Sequence, residues 1–320
     1  MTVATRAGGD SSGGRDTAGG RRPLPPAKPR EIEDLLNRRL FHPLSRRLAA
    51  ALAHTFVTPN MVSLTGAVLV VAAGVFYSFF GGAWAVALGF ACHMLWHVVD
   101  GADGDLARLT GRASPLGEMV DGACDYLSHA LIYLFLSIHL AGSLGLSAYA
   151  LGLAAGVLRV AQSNHAESQR RTYLWRAYGV PWIKHARDGG HALFRRDTIL
   201  TRLTRAYVWL ADLLIPTAPA LDAAAREAAH DPALRRRLTR LCRRASRRPL
   251  LVQSLLGANP RTVLLGLSMA LGSPLYFFIV ETTAMSLLLL VSIRWQKASD
   301  AAIIARLGYG ANTAGPATPS

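Results

Sequence analysis

Six apolar stretches punctuate the chain, at about 61–80, 83–100, 119–141, 143–163, 261–279 and 281–294. A bilayer span needs about 20 apolar residues, so several of these are short for one. Ahead of them, from 31 to 57, Ile32, Leu35, Leu36, Leu40, Leu44, Leu48 and Leu52 recur at helical spacing, with Arg38, Arg39, Arg46 and Arg47 between them. That pattern predicts an amphipathic helix on a membrane surface; the alternative is a surface helix of a soluble domain. Residues 1–30 are rich in Gly, Ser, Pro and Arg and contain no apolar run, which predicts a disordered cytosolic tail without a secretory h-region.

Charge gives an independent reading of topology, because cytoplasmic loops concentrate Lys and Arg. With the N-terminus inside, the three outer turns, at about 80–83, 141–147 and 278–282, hold no Lys or Arg. The expected fold is therefore all-α: a polytopic membrane helix bundle of six transmembrane helices, with an N-terminal interfacial helix and a helical cytoplasmic insertion. Expected boundaries are a tail at 1–30, the interfacial helix at 31–57, membrane helices one to four at 58–164 and the basic insertion at 165–259. Membrane helices five and six follow at 260–296 and a cytosolic tail at 297–320. Both termini are expected in the cytoplasm and the protein in a membrane, the inner membrane of a bacterium given its Arg- and Ala-rich composition.

Composition supports this reading. Of 320 residues, 51% are hydrophobic and 17% charged, and the mean hydropathy is +0.24, more apolar than a soluble domain needs for its core. Yet 35 Lys and Arg against 20 Asp and Glu give a net charge of +15, which suits an anionic bilayer surface, with nucleic acid as the competing partner. Cys92, Cys124 and Cys242 are too few and scattered for a disulfide framework or a cysteine zinc site. Much of the positive charge lies in the insertion. There Asp231-Pro232 is a plausible helix start, after which Leu234, Leu238, Leu241 and Ala245 share one face and arginines cover the rest. We expect a basic amphipathic helix against anionic lipid headgroups, and no nucleic acid, since no nucleic-acid-binding fold surrounds it.

The chemistry is concentrated between the second and third stretches. Asp100 and Asp103 stand at i, i+3, and Asp121 and Asp125 at i, i+4, so each pair shares one helix face. The connection at 109–116 contains Gly111, and Ser114-Pro115 suits a helix start, so the two faces can meet across an antiparallel hairpin. Four carboxylates at membrane depth repel one another and are costly to bury, a conflict that divalent cations resolve. All-oxygen ligands favour Mg²⁺ or Mn²⁺ over Zn²⁺, and two ions could clamp an in-line phosphoryl displacement. Gly104, Ala107 and Gly117 leave room for a phosphate to approach, and Arg108 offers a planar fork that suits one.

DGADGDLAR, eight residues, then GEMVDGACD resembles the signature D-x2-D-G-x2-A-R-x(7 or 8)-G-x3-D-x3-D of the CDP-alcohol phosphotransferases at every fixed position. The resemblance is strongest over about 55–130 and extends to Thr58-Pro59-Asn60-Met61-Val62-Ser63, with Ser63 where Thr is common. It implies that Asp100, Asp103, Asp121 and Asp125 bind Mg²⁺ or Mn²⁺, two ions being expected, and that Asp125 is the general base. It also implies that Gly104, Ala107, Arg108 and Gly117 accommodate a CDP moiety, with Asn60 a weaker candidate on the nucleotide side. The implied reaction joins a CDP-linked donor to an alcohol acceptor with release of CMP, and a homodimer is a further expectation from resemblance.

Which half of the donor moves stays open: phosphatidyl from CDP-diacylglycerol is preferred, and a phospho-alcohol from a soluble CDP-alcohol is the alternative. A non-enzymatic transporter or scaffold is the competing class; Arg108 with Gly104, Ala107 and Gly117 argues against a simple ion path. Weaker signals remain. His93 and His97 either line a cavity above the aspartates or are satisfied within the bundle, and His129 extends the Asp121 and Asp125 stripe toward an acceptor. Arg159, the one basic residue well inside a predicted span, contacts an acceptor or donor phosphate or else snorkels to the interface. Asp105 occupies a variable position of the signature and is expected to be solvated.

Overall fold

A computed structural model of the protein describes residues 29–32, 34–180, 201–202, 205–206, 209 and 216–308. Most of the expected N-terminal tail, 181–200 of the insertion and 309–320 of the C-terminal tail lie outside the described residues. Within them there is helix and turn and no strand.

The amphipathic N-terminal segment is broken rather than continuous: a short turn at Arg30–Ile32, a wide π-type turn at Asn37–Phe41, then α1 (His42–Leu52). Pro43 explains the junction, since it has no N–H to give to the preceding turn and its ring crowds the carbonyl four residues back. The π-type turn and α1 meet the bundle through Phe41, Ser45 and Ala49, while Leu40 and Leu44 face outward.

Next come α2 (Pro59–Phe79), α3 (Ala83–Leu109), α4 (Pro115–Leu144) and α5 (Ser147–Tyr178). The starts follow the expected chemistry. Thr58 caps α2 through the Met61 N–H, and Ser114 caps α4 through the Gly117 N–H at 3.0 Å, each with proline in the first turn. Then follow α6 (Pro219–Glu227), α7 (Pro232–Ala245), α8 (Arg247–Leu255), α9 (Ala258–Ala270), α10 (Leu275–Thr282) and α11 (Ala284–Leu307).

Among the described residues four helical segments are long and apolar enough to cross a membrane, Pro59–Phe79, Ala83–Leu109, Leu116–Leu144 and the α10–α11 pair Leu275–Leu307, whereas six were expected. The fourth and fifth expected spans account for the difference. Residues 143–163 form the first half of α5, which runs on unbroken through Gln162, Ser163, Asn164 and His165, so the helix as a whole is too polar. The stretch at 261–279 is divided between α9 and α10 at Gly272, whose φ is +88°, and Pro274. The turn thus falls at 271–274 rather than 278–282, still without Lys or Arg.

One core joins the membrane helices through Val70, Tyr77, Trp96, Leu136, Leu265 and Phe278. A second lies at the far end of α5, where Tyr173, Ala177, Leu221, Leu238, Cys242 and Ile303 pack together. This second core revises the expectation for α7: its apolar stripe, Leu234, Leu238 and Leu241, is covered by protein, so only its arginine face is free to meet lipid. Asp231 caps α7 as expected, accepting from the Ala233 and Leu234 N–H groups at 2.7 and 3.1 Å.

Buried polar pairs run down the α5–α11 seam. Gln169 donates to Gln296 at 2.7 Å, and Arg176 binds Asp300 and Asp222 at 3.1 and 2.8 Å. Beside α5, Arg261 on α9 pairs with Glu281 on α10 at 3.0 Å and donates to Gln162 at 2.6 Å, both charged side chains being almost fully buried.

Candidate active site

The site sits where the last turns of α3 face the first turns of α4. Gly111, with φ +68°, closes the connection, and the antiparallel hairpin brings the two acidic faces together as their spacing predicts. Asp100, Asp121 and Asp125 each place a carboxylate oxygen within 4.8 Å of the other two. Asp103 adjoins them, within hydrogen-bonding reach of Asp121, so all four aspartates form one cluster. Its donors are all carboxylate oxygens, a set that fits a hard divalent cation such as Mg²⁺ or Mn²⁺.

Neighbouring helices hold these carboxylates in place. Ser63 Oγ on α2 donates to Asp103 Oδ2 at 2.6 Å. Trp96 Nε1, one turn before Asp100, donates to Asp125 Oδ1 at 3.2 Å. His129 Nδ1 lies 2.8 Å from the Asp125 carbonyl oxygen, so the ring donates there. The sequence reading missed Trp96 because it reads as one more apolar residue of the span; Ser63 was noted only as a position in a motif. The α1 helix braces α3 from outside, where Ser45 Oγ donates to the Val98 carbonyl at 2.8 Å. Gly101 permits that approach, since a Cβ there would lie 2.6 Å from Ser45 Oγ.

The nucleotide-side candidates are also adjacent. Asn60 Oδ1 lies 3.9 Å from where a Cβ on Gly117 would stand, so the start of α2 meets the start of α4. Ala107 sits on the same last turns of α3, and a Cβ on Gly104 would lie 3.4 Å from the Arg108 guanidinium. Asp105 is not solvated as expected: it is buried and binds Arg108 at 2.7 Å, and Arg108 is 47% exposed. A salt bridge at i, i+3 on a helix end explains the burial, because the arginine satisfies the carboxylate and aims its own fork.

Of the histidines, His97 is satisfied within the bundle, bonded to Thr262 Oγ1 at 2.9 Å and stacked on Phe41. His93 is buried with neither ring nitrogen partnered. The Arg159 guanidinium lies 5.6 Å from the centre of the Tyr133 ring. At the outer edge Arg171 pairs with Glu118 and, at 2.6 Å, with Glu167, tying α5 to α4. Burial opposes the Glu167 charge, but Arg170 and Arg171 together hold its carboxyl below the usual range.

Residues 56–181 match the model of the CDP-alcohol phosphatidyltransferase family. The matched part carries the whole carboxylate cluster with its α2 and α5 neighbours and is similar to that family. A search of curated proteins finds no match.

Proposed function

We propose that this protein, with its region similar to the CDP-alcohol phosphatidyltransferase family, transfers phosphatidyl from CDP-diacylglycerol to a polar alcohol and releases CMP. The observation that carries the reading is the cluster of Asp100, Asp103, Asp121 and Asp125 with Arg108 beside it, where the last turns of α3 face the first turns of α4. Six membrane crossings with the site and both termini cytoplasmic remain our reading of the topology. It is supported by the absence of Lys and Arg from the three opposite turns.

Asp100, Asp103, Asp121 and Asp125 would hold Mg²⁺ or Mn²⁺, two ions fitting the number of carboxylates. Such ions, when bound, neutralise the diphosphate and the charge that develops on departing CMP. Asp125 accepts the proton of the acceptor hydroxyl as it attacks the phosphorus of the lipid-side phosphate. Trp96 donates to one oxygen of that carboxylate, so it is oriented before substrate arrives, while His129 bonds only the Asp125 backbone carbonyl. Arg108, steered by Asp105, meets the CMP phosphate. Gly104, Ala107 and Gly117 allow the diphosphate to lie against the backbone, and Asn60 contacts the nucleotide side. Arg159 and His129 contact an acceptor or a phosphate.

The test is CMP release by the detergent-purified protein with Mg²⁺ or Mn²⁺, offering CDP-diacylglycerol and soluble CDP-alcohols separately against a panel of acceptors. CMP from CDP-diacylglycerol alone is expected. CMP from a soluble CDP-alcohol alone would reverse the donor assignment. No CMP from any donor, in folded and metal-loaded protein, would return weight to a transporter or scaffold.

A further inference from the structure

A cavity of about 460 Å³ lies between α4 and α5, lined by Tyr126, His129, Tyr133, Leu153, Val157 and Arg159 among others. That volume is within the roughly 300–1,000 Å³ range of small-molecule sites. Its lining is mostly apolar, and Leu153 and Val157 are well exposed, so in a bilayer it opens sideways onto hydrocarbon. Two polar groups mark one end. His129 is buried, and because its Nδ1 donates to the Asp125 carbonyl, Nε2 carries the free lone pair and has no partner. Arg159 rests over the Tyr133 ring, while Glu281 is already held by Arg261 at 3.0 Å.

A cation at this depth calls for an anion. The lining of the cavity holds no Asp or Glu; of the carboxylates that act on Arg159 from outside it, Glu281 is paired with Arg261 and Asp125 belongs to the aspartate cluster. With no Asp or Glu in that lining, a second copy presenting this face would bring no carboxylate to Arg159. A lipid brings both an anion and a chain for the apolar lining. We propose that the α4–α5 cavity binds one chain of a phosphate-bearing membrane lipid, with the phosphate on Arg159 and a headgroup hydroxyl donating to His129 Nε2. The lipid head is then one helical turn from Asp125. This deepens the phosphotransfer reading and rests on it for the part the head plays, but occupancy can be measured without turnover.

The experiment uses the full chain in phosphatidylcholine vesicles containing phosphatidylglycerol with a diazirine at one chain end. After irradiation the labelled peptides are mapped. The expected label falls in 126–137 and 149–160. Arg159→Gln lowers it roughly tenfold, as loss of a charge-assisted contact should. Arg159→Lys restores most of it, and Val157→Trp, which fills the cavity from an exposed position, removes it. Diacylglycerol carrying the same diazirine labels without regard to Arg159. Label spread evenly over the outer faces of α2 and α4, or unchanged in both Arg159→Gln and Val157→Trp, overturns the proposal. So does a disulfide between two Leu153→Cys copies that excludes the label, because a second copy then fills the groove. CMP release from the same preparations separates the two claims: label without turnover counts against phosphotransfer alone.

Discussion

Ser63 Oγ donates to Asp103 Oδ2 at 2.6 Å, a hydrogen bond from α2 to α3 made at the depth of the carboxylate cluster. Partners of this kind orient a carboxylate toward a cation, and their loss typically costs roughly 10–100-fold in metal affinity or activity. Ser63→Ala should therefore shift the Mg²⁺ or Mn²⁺ dependence of CMP release to at least about tenfold higher concentration, while Ser63→Thr keeps it. An unchanged metal dependence in Ser63→Ala would remove the residue from the site.

Asp105 and Arg108 form a second linked pair. Replacing Asp105 by Asn keeps its shape but frees the guanidinium from its aim, whereas Arg108→Lys keeps the charge and loses the fork. The expected result is a higher KM for the CDP-linked donor in both variants, about tenfold or more for Arg108→Lys and less for Asp105→Asn. Donor titrations at saturating acceptor provide the check, and an effect confined to the acceptor KM would place Arg108 elsewhere.

The buried Arg261–Glu281 pair predicts an asymmetry in stability. Removing one partner strands a charge, at a cost of about 3–5 kcal/mol in buried pairs, while removing both is far milder. Arg261→Met alone should lower the thermal midpoint in detergent more than Arg261→Met with Glu281→Leu. If the double variant is the less stable of the two, the pair contributes more than mutual neutralisation.

The arginine face of α7 remains exposed after its apolar stripe is buried. We expect selective retention on anionic vesicles, at about 1 kcal/mol for each arginine near the surface, weakening as salt rises. Arg236, Arg240 and Arg244 changed together to Gln should lose most of that selectivity. Equal retention of the parent protein on neutral and anionic vesicles would contradict it.

The residues show why some features were legible in the sequence and others were not. Asp100, Asp103, Asp121 and Asp125 were readable because helical spacing fixes which side chains share a face, and Ser114 and Asp231 because capping is local chemistry. Trp96 and Ser63 were not, since what they do depends on which helix lies opposite. The stripe on α7 illustrates the same limit: a period reveals an apolar face but not whether lipid or Tyr173, Leu221 and Ile303 will cover it. Asp105 fell on a variable position of the motif, and only the fold shows it buried against its own arginine. Helix boundaries at α5 and α9 were hidden too: Gln162 to His165 continue an apolar stretch as polar helix, and Gly272 and Pro274 cut an apolar run in two.

The central claim is that Asp125 takes the proton from the acceptor hydroxyl within a carboxylate cluster that works with Mg²⁺ or Mn²⁺. Its most direct test is single-turnover CMP release from CDP-diacylglycerol by Asp125→Asn beside the parent protein, at saturating metal and with donor binding measured separately. The account predicts donor binding within a few-fold of the parent and turnover reduced by roughly 10²-fold or more. Turnover equal to the parent's in a folded, donor-binding Asp125→Asn protein would contradict it.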